Sequence, residues 1–138
     1  MITGLHHVNL VVPPDTLEEA GAFYAGTLGL APRAVPELFQ GRLLWFDIGS
    51  SGEQVHIAFG EPGDFAFSSQ RHPCFRVAGV EALVALRQRI YDHFARGGVG
   101  APQAADRPGG ESIGPRLIEN PNRFFARDYA GNLLEFSV

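Results

Sequence analysis

Three histidines and one glutamate are the residues of this chain whose types and spacing could bind a metal ion. They are His7, His56, His72 and Glu135, and each lies in a segment with the alternating pattern of a β-strand. In all four segments the metal-capable residue falls on the face opposite the apolar side chains. Three imidazoles and one carboxylate suit Zn²⁺, Fe²⁺, Mn²⁺, Ni²⁺ or Co²⁺, whereas Mg²⁺ and Ca²⁺ prefer mostly oxygen ligands. If all four bind, an octahedral ion keeps two positions for water or substrate, as Lewis-acid catalysis requires.

Each of these residues, taken alone, also has a structural interpretation. A single histidine on a strand is more often a hydrogen-bonded structural residue than a ligand, but equivalent placement in two halves of the chain favours a metal site. Glu135 lies in an otherwise apolar strand, where an unpaired carboxylate is costly and needs a cation or a changed protonation state. We interpret His6 and His93 as structural or surface residues, and Asp47 and Asp128 as residues that close turns.

Other side chains on the same strand faces are candidates for contact with a substrate. Arg76 could meet an anionic group or pair with a nearby acid, and the sequence leaves both open. Cys74 could act as a redox group or nucleophile, but a small buried side chain is favoured. Aromatic strand residues can line a cavity, although most such residues are core. The substrate-contact candidates are Arg76, Asn9, Trp45 and Phe125.

Strands and helices must position these residues, and the hydrophobic pattern predicts both. Asp15 followed by Glu18 predicts a helix with a capping box, which ends at Gly29. A second helix is predicted over 80–94. The Gly- and Pro-rich stretch 100–115 predicts a long loop, which in a compact domain is more often functional than idle. The predicted strands cover 5–12, 42–48, 54–59, 72–77, 123–128 and 133–138.

The predicted elements occur twice in the same order. Arg42 and Asp47 frame LLWF as Arg123 and Asp128 frame FFAR, and a glycine turn and a closing strand follow each. A strand, a helix and a meander of strands occur twice in this order, which predicts an α+β fold of two βαβββ modules. We call residues 1–60 module one and residues 71–138 module two, with 61–70 as a connector. We expect their sheets to form one curved cup with helices outside, in a single domain, because each half is too small to be stable alone.

Composition excludes several classes of function. The chain has 138 residues, of which 45% are hydrophobic and 19% charged, as in an ordinary globular domain. All eleven basic residues are arginine, which excludes a Schiff-base lysine, and one cysteine excludes a disulfide framework. A net charge of −4 argues against nucleic-acid binding. No long apolar segment or export signal stands out, so we expect a soluble cytoplasmic protein without a membrane partner.

Several segments together resemble the vicinal oxygen chelate superfamily over nearly the whole chain. They are LHHVNLVV, FYAGTLGL, QVHIAF, HPCFRV and DYAGNLLEF. In that superfamily two βαβββ modules form a cup around a divalent metal. Members include glyoxalase I, methylmalonyl-CoA epimerase, extradiol dioxygenases, fosfomycin resistance thiol transferases and metal-free bleomycin-binding proteins. The resemblance implies metal ligation by His7, His72 and Glu135, a small-molecule substrate and a homodimer.

His56 departs from the pattern of two of these enzymes. Glyoxalase I and the epimerase have a glutamate at this position, which can act as a base on a carbon acid, and neutral imidazole is a different base. The resemblance therefore implies a metal-dependent lyase, isomerase or dioxygenase, with His56 as fourth ligand or base beside Glu135. Extradiol dioxygenases bind Fe²⁺ with a His/His/Glu set, but they are usually longer. The alternative is a dimeric, metal-free protein that holds an apolar or cationic ligand in an aromatic cup.

Overall fold

A computed structural model describes residues 1–65, 68–114 and 122–138. Residues 66–67 of the predicted connector and Pro115 of the predicted loop lie outside this part of the chain. The first helix comprises α1 (Leu17–Ala20) and a π-helical continuation (Gly21–Thr27), and the second is α2 (Val80–Arg96). Short 3₁₀ turns cover Glu37–Phe39 and Pro62–Asp64. The strands are β1 (His7–Val12), β2 (Ala31–Arg33), β3 (Leu43–Asp47), β4 (Gln54–Phe59), β5 (Cys74–Arg76), β6 (Ala104–Ala105), β7 (Arg123–Arg127) and β8 (Leu133–Ser137).

The strands form two four-stranded mixed sheets with the same topology. Their orders are β1-β4-β3-β2 and β5-β8-β7-β6, and in each sheet the first pair is parallel and the others antiparallel. The predicted α+β fold of two βαβββ modules is therefore confirmed. Among the described residues, β1 pairs only with β4 and β5 only with β8, so the sheets remain separate. Strand pairing therefore does not join the two sheets into the expected single curved sheet in this part of the chain.

One face of each sheet packs against the helices, as strand alternation predicts. On β1, Val12 is fully buried while His7 is exposed, and on β4 both Val55 and Ile57 are fully buried. A single cluster of buried hydrophobic side chains includes residues of both modules, among them Phe23 and Phe136. Burial of each such side chain contributes about 1.5–3 kcal/mol. We call the opposite sheet face, which carries the predicted ligands, the cup face.

The start of the first helix differs from the sequence prediction. The N-cap is Thr16, and its hydroxyl donates 2.7 Å to the Pro13 carbonyl instead of capping the helix. Asp15 lies before the cap with φ of 63°, a left-handed conformation that aspartate tolerates better than most residues. The predicted capping box of Asp15 and Glu18 is therefore wrong. The end at Gly29, with φ of 78°, agrees with the prediction.

Strand boundaries and register also differ from the prediction in places. The strands β2 and β6 are not predicted from the sequence. Each has only two or three residues, which is too short to show an alternating pattern. Trp45 pairs with His56 and Phe125 pairs with Glu135, so Trp45 and Phe125 are equivalent. Matching Arg42 to Arg123 is therefore wrong by one residue, because the two hairpin turns differ in length. The helix α2 extends two residues beyond the prediction, to Arg96.

Buried polar contacts join the two modules. The Tyr24 hydroxyl donates to Asp128 at 2.7 Å, and Thr27 pairs with Nδ1 of His93 at 2.6 Å. Asp128 also accepts from the backbone N–H of Ala130 and Asn132 at 2.9 Å, which confirms its role in closing a turn. Burial raises the pKa of the Asp128 carboxyl, although its hydrogen bonds oppose the shift. Since His93 is buried, its interpretation as a structural residue is also confirmed.

None of the helices in the described ranges combines the length and the apolar character needed to cross a membrane.

Candidate functional site

A cleft of about 1510 Å³ lies between the two modules, beside the edges of β1 and β5 that pair with no other described strand. Its lining includes His7 and Asn9 from β1 and His72, Cys74 and Arg76 from module two. Pockets for small molecules usually have about 300–1,000 Å³, so this cleft has room for such a ligand. The predicted residues of the opening segments of both modules therefore face one shared space.

In module one, two histidines and a tryptophan form a stack on the cup face. The His56 ring lies between the His7 ring, with centroids 4.0 Å apart and planes at 10°, and the Trp45 ring, at 4.7 Å and 17°. His56 is partly buried, and its Nε2 lies 2.8 Å from Oε1 of Gln54. Burial and the neighbouring imidazoles of His7 and His6 lower the pKa of His56. The ring is thus neutral at pH 7 and fixed on both faces.

This stacking limits how the two histidines could share a metal ion. The lone pair of an imidazole nitrogen lies in the ring plane, and a Zn–N bond is about 2.0–2.1 Å long. Because the His7 and His56 planes are nearly parallel, their lone pairs do not meet at such a point. In this conformation one metal ion can take a nitrogen from only one of them.

In module two, a histidine and a glutamate form a hydrogen-bonded pair. Nε2 of His72 lies 2.9 Å from Oε2 of Glu135, and the Arg123 guanidinium donates to Oε1 at 3.3 Å. The Gln70 carbonyl lies 2.6 Å from Nδ1 of His72. Both His72 nitrogens therefore face hydrogen-bond acceptors. A proton on Nε2 lies between His72 and Glu135, at the place where a metal ion would bind both of these side chains. The Arg123 contact holds the second carboxylate oxygen away from that place.

The four predicted ligands thus form two pairs within the chain. All four lie in the described residues, and across that part of the chain no group of three or more His, Cys, Asp or Glu side chains is close enough to hold a metal ion. The strand faces were predicted correctly, but their assembly into one centre needs the two sheets to approach each other. The four-ligand site stays a prediction.

The remaining sequence candidates differ in how accessible they are. Cys74 is exposed, which corrects the interpretation of it as buried, because β5 is a short edge strand. Partial loss of solvent around the thiol and the neighbouring Glu135 carboxylate raise the pKa of Cys74. Arg76 and Asn9 are exposed on the cleft, and Trp45 is partly buried in the stack. Phe125 is 3% exposed and packs edge-on against His72 at 5.6 Å, so it supports the site and does not line the cleft.

The sequence did not reveal Asp106, which organises the loop above Phe125. Its buried carboxylate accepts hydrogen bonds from the backbone N–H of Phe125 and Ile113, at 2.9 and 2.6 Å, and from the Ser112 hydroxyl. The loop leaves no room for a side chain at Gly114, which lies against the Phe125 ring. A lone Asp in a Gly- and Pro-rich stretch is the one sequence signal for such a buried anchor, and it is weak.

Comparison with solved structures places the fold among known proteins. No protein-family model matches the chain, and no curated protein sequence matches it. A glyoxalase family protein from Bacillus anthracis is 27% identical, with a TM-score of 0.68, and the match covers 99% of this chain and 94% of that one. The fosfomycin resistance protein FosX from Listeria monocytogenes, complexed with Mn(II) and sulfate, is 20% identical with a TM-score of 0.65, over 100% and 91% of the chains.

An antibiotic-binding protein from a Streptomyces species is also similar. It is 20% identical, with a TM-score of 0.63, over 99% of this chain and 95% of that one. These neighbours share the two-module architecture from end to end. Their agreement with the duplicated βαβββ topology shows that this chain has the two-module fold of the vicinal oxygen chelate superfamily.

Proposed function

We propose that this protein is a glyoxalase-like metalloenzyme that uses a divalent ion to chelate two adjacent oxygens of a small molecule. Its metal ligands would be His7, His72 and Glu135. The observation that carries the proposal is the His72–Glu135 pair, in which each partner is oriented by a further contact. Such outer contacts are typical of metal sites, since they fix the tautomer and the carboxylate geometry. Mn(II) bound in the FosX neighbour supports a divalent ion in this fold.

His56 is better suited to act as a base than as a fourth ligand. Its stacking on His7 separates the in-plane lone pairs of the two rings, and its lowered pKa keeps a nitrogen unprotonated at neutral pH. A bound metal would supply Lewis acidity to the chelated oxygens. A neutral imidazole beside it could then remove a proton from the adjacent carbon. This division favours lyase or isomerase chemistry over dioxygenase chemistry.

We infer that a second copy of the chain completes the site. Within one chain the two ligand pairs lie on separate sheets, and β1 and β5 both have an unpaired edge beside the cleft. A homodimer could bring module one of one copy next to module two of the other, which would close the cup without unfolding either module. This arrangement explains why the strand positions are correct while the single-chain centre is incomplete.

The substrate would be small and negatively charged. Arg76 is exposed on the cleft and makes no ion pair in the described chain, so its guanidinium is available to a carboxylate or phosphonate. Asn9 lies on the neighbouring edge and could donate to the same ligand. Trp45 contributes to the site through the stack on His56.

Elemental analysis of protein purified without chelators tests this proposal. The wild type should bind Mn²⁺, Fe²⁺, Zn²⁺, Ni²⁺ or Co²⁺ near one equivalent per site, and His7→Ala with Glu135→Gln should abolish uptake. Gln103→Leu, which changes a side chain that contacts none of the proposed ligands, is the control and should bind normally. Less than about a tenth of an equivalent, not recovered when metal is added, would exclude the metalloenzyme. Uptake that persists in the double variant would show that the ligand assignment is wrong.

A metal-free binding protein is the second candidate. It is favoured by the large open cleft and by the Streptomyces antibiotic-binding protein of the same fold. Calorimetric titration with apolar cationic ligands, in the presence of a chelator, separates the two proposals. Tight binding without metal would favour the binding protein, and binding that requires metal would favour the enzyme.

A further inference from the structure

We propose that Gln54 is a positioning residue that fixes His56 in the tautomer with its proton on Nε2, leaving Nδ1 as the free nitrogen. Gln54 is 8% exposed and opens β4, where it pairs with His7 on one side and Asp47 on the other. The inference rests on the proposed function only for the use of that free nitrogen, since the tautomer is a property of the protein without metal.

The orientation of the Gln54 amide is set by Asp47. Oδ1 of Asp47 lies 3.2 Å from Nε2 of Gln54, and the Arg33 guanidinium donates to the same oxygen at 3.0 Å. An ionised carboxylate only accepts hydrogen bonds, so the amide group facing it must be the NH₂. The Gln54 carbonyl oxygen must therefore face the opposite direction, toward His56.

The orientation of the amide then determines the His56 tautomer. Oε1 of Gln54 lies 2.8 Å from Nε2 of His56, and an amide oxygen accepts but does not donate. The ring must therefore carry its proton on Nε2. A neutral imidazole has only one such proton, so Nδ1 keeps its lone pair and is the nitrogen available to a proton or a metal.

Packing prevents the ring from escaping this arrangement. Trp45 and His7 cover its two faces, and a half-turn of the ring would leave the buried Gln54 oxygen without its donor. An unsatisfied buried acceptor is unfavourable enough to bias the two tautomers by at least about tenfold. The equivalent position in module two is Leu133, opposite Arg127, so no comparable amide faces Glu135. This device belongs to module one alone.

Long-range ¹H–¹⁵N correlation spectra of the histidine rings test the inference directly, in full-length metal-free protein. The His56 signals are assigned by their loss in His56→Gln. In the wild type we expect a protonated Nε2 and an unprotonated Nδ1, with the minor tautomer at about a tenth or less. Gln54→Leu, which installs the residue found at the equivalent place in module two, should bring the tautomers within about threefold of each other.

Two further variants complete the test. Gln54→Glu keeps an acceptor for Nε2–H and should preserve the wild-type tautomer, whereas Gln103→Leu removes a remote amide and should change nothing at His56. A protonated Nδ1 in the wild type would overturn the inference, as would an unchanged tautomer ratio in Gln54→Leu. Neither result would affect metal uptake, so failure here is distinguishable from failure of the proposed function.

Discussion

The two modules have the same topology but opposite chemistry on their cup faces. Module one presents a neutral stack of Trp45, His56 and His7, whereas module two presents a charged chain in which Arg123 and His72 both contact Glu135. The strand positions are equivalent, since Trp45 pairs with His56 as Phe125 pairs with Glu135. Duplication of a fold therefore duplicates positions, and the residues placed there determine what each copy can do.

If the proposed function is correct, this difference would divide the work of the metal site between the modules. The one carboxylate, in module two, would stabilise a divalent ion, while the neutral ring in module one would accept a proton. Arg123 offsets part of the negative charge of Glu135 when no cation is bound. Paired variants of the two modules test this contrast and the contacts that join them.

The strongest contrast is between Glu135→Gln and His56→Gln. The first removes the one carboxylate among the four predicted ligands, and we expect metal affinity to fall by more than about 100-fold, beyond the loss usual for outer contacts. The second removes a ring whose lone pair does not converge with that of His7. We therefore expect its metal affinity to fall by less than about tenfold. Competition against a chromophoric chelator measures both. Equal losses would show that His56 is a metal ligand.

A second contrast concerns two aspartates near the ends of β3 and β7. Asp128→Ala leaves the Tyr24 hydroxyl and the N–H groups of Ala130 and Asn132 without their acceptor, and we expect a loss of about 3–5 kcal/mol in the free energy of unfolding. Asp47→Ala removes an exposed contact with Arg33 and one part-buried hydrogen bond from Gln54, and it should cost less than about 2 kcal/mol. Urea unfolding measures both, and similar losses would contradict a buried contact between the modules.

The third prediction concerns how stability depends on pH. Because burial raises the Asp128 pKa above its ordinary value of 3.8, the folded state holds this proton more tightly than the unfolded state. Its contribution to stability is therefore full below about pH 4 and is lost as the pH rises through the raised pKa. Relative to Asp128→Asn, the wild type should therefore become less stable over that range.

Thermal unfolding across that pH range provides the measurement. Asp47→Asn is the matched control and should follow the pH dependence of the wild type. If Asp128→Asn shows the same pH dependence as the wild type, a group other than Asp128 must cause the pH dependence.

Sequence reasoning predicted the cup faces because alternation is local. The position of His7 opposite buried Val12 follows from spacing alone, as does that of Glu135 between buried Leu134 and Phe136. Exposure of Cys74 could not be predicted this way, because it depends on β5 being an edge strand, which is a property of the whole sheet. The stacking of His7 on His56 likewise depends on how parallel strands pair, and the separation of the two sheets depends on helix contacts distant in sequence.

The polar contacts between the modules also bear on how such a chain can evolve. Tyr24 and Thr27 belong to the first half, while their partners Asp128 and His93 belong to the second. Expressed as separate polypeptides, the halves would each expose one side of a hydrogen-bonded pair together with part of the common apolar core. The two halves are therefore expected to be unstable as separate chains, because each depends on polar partners that only the other half encodes.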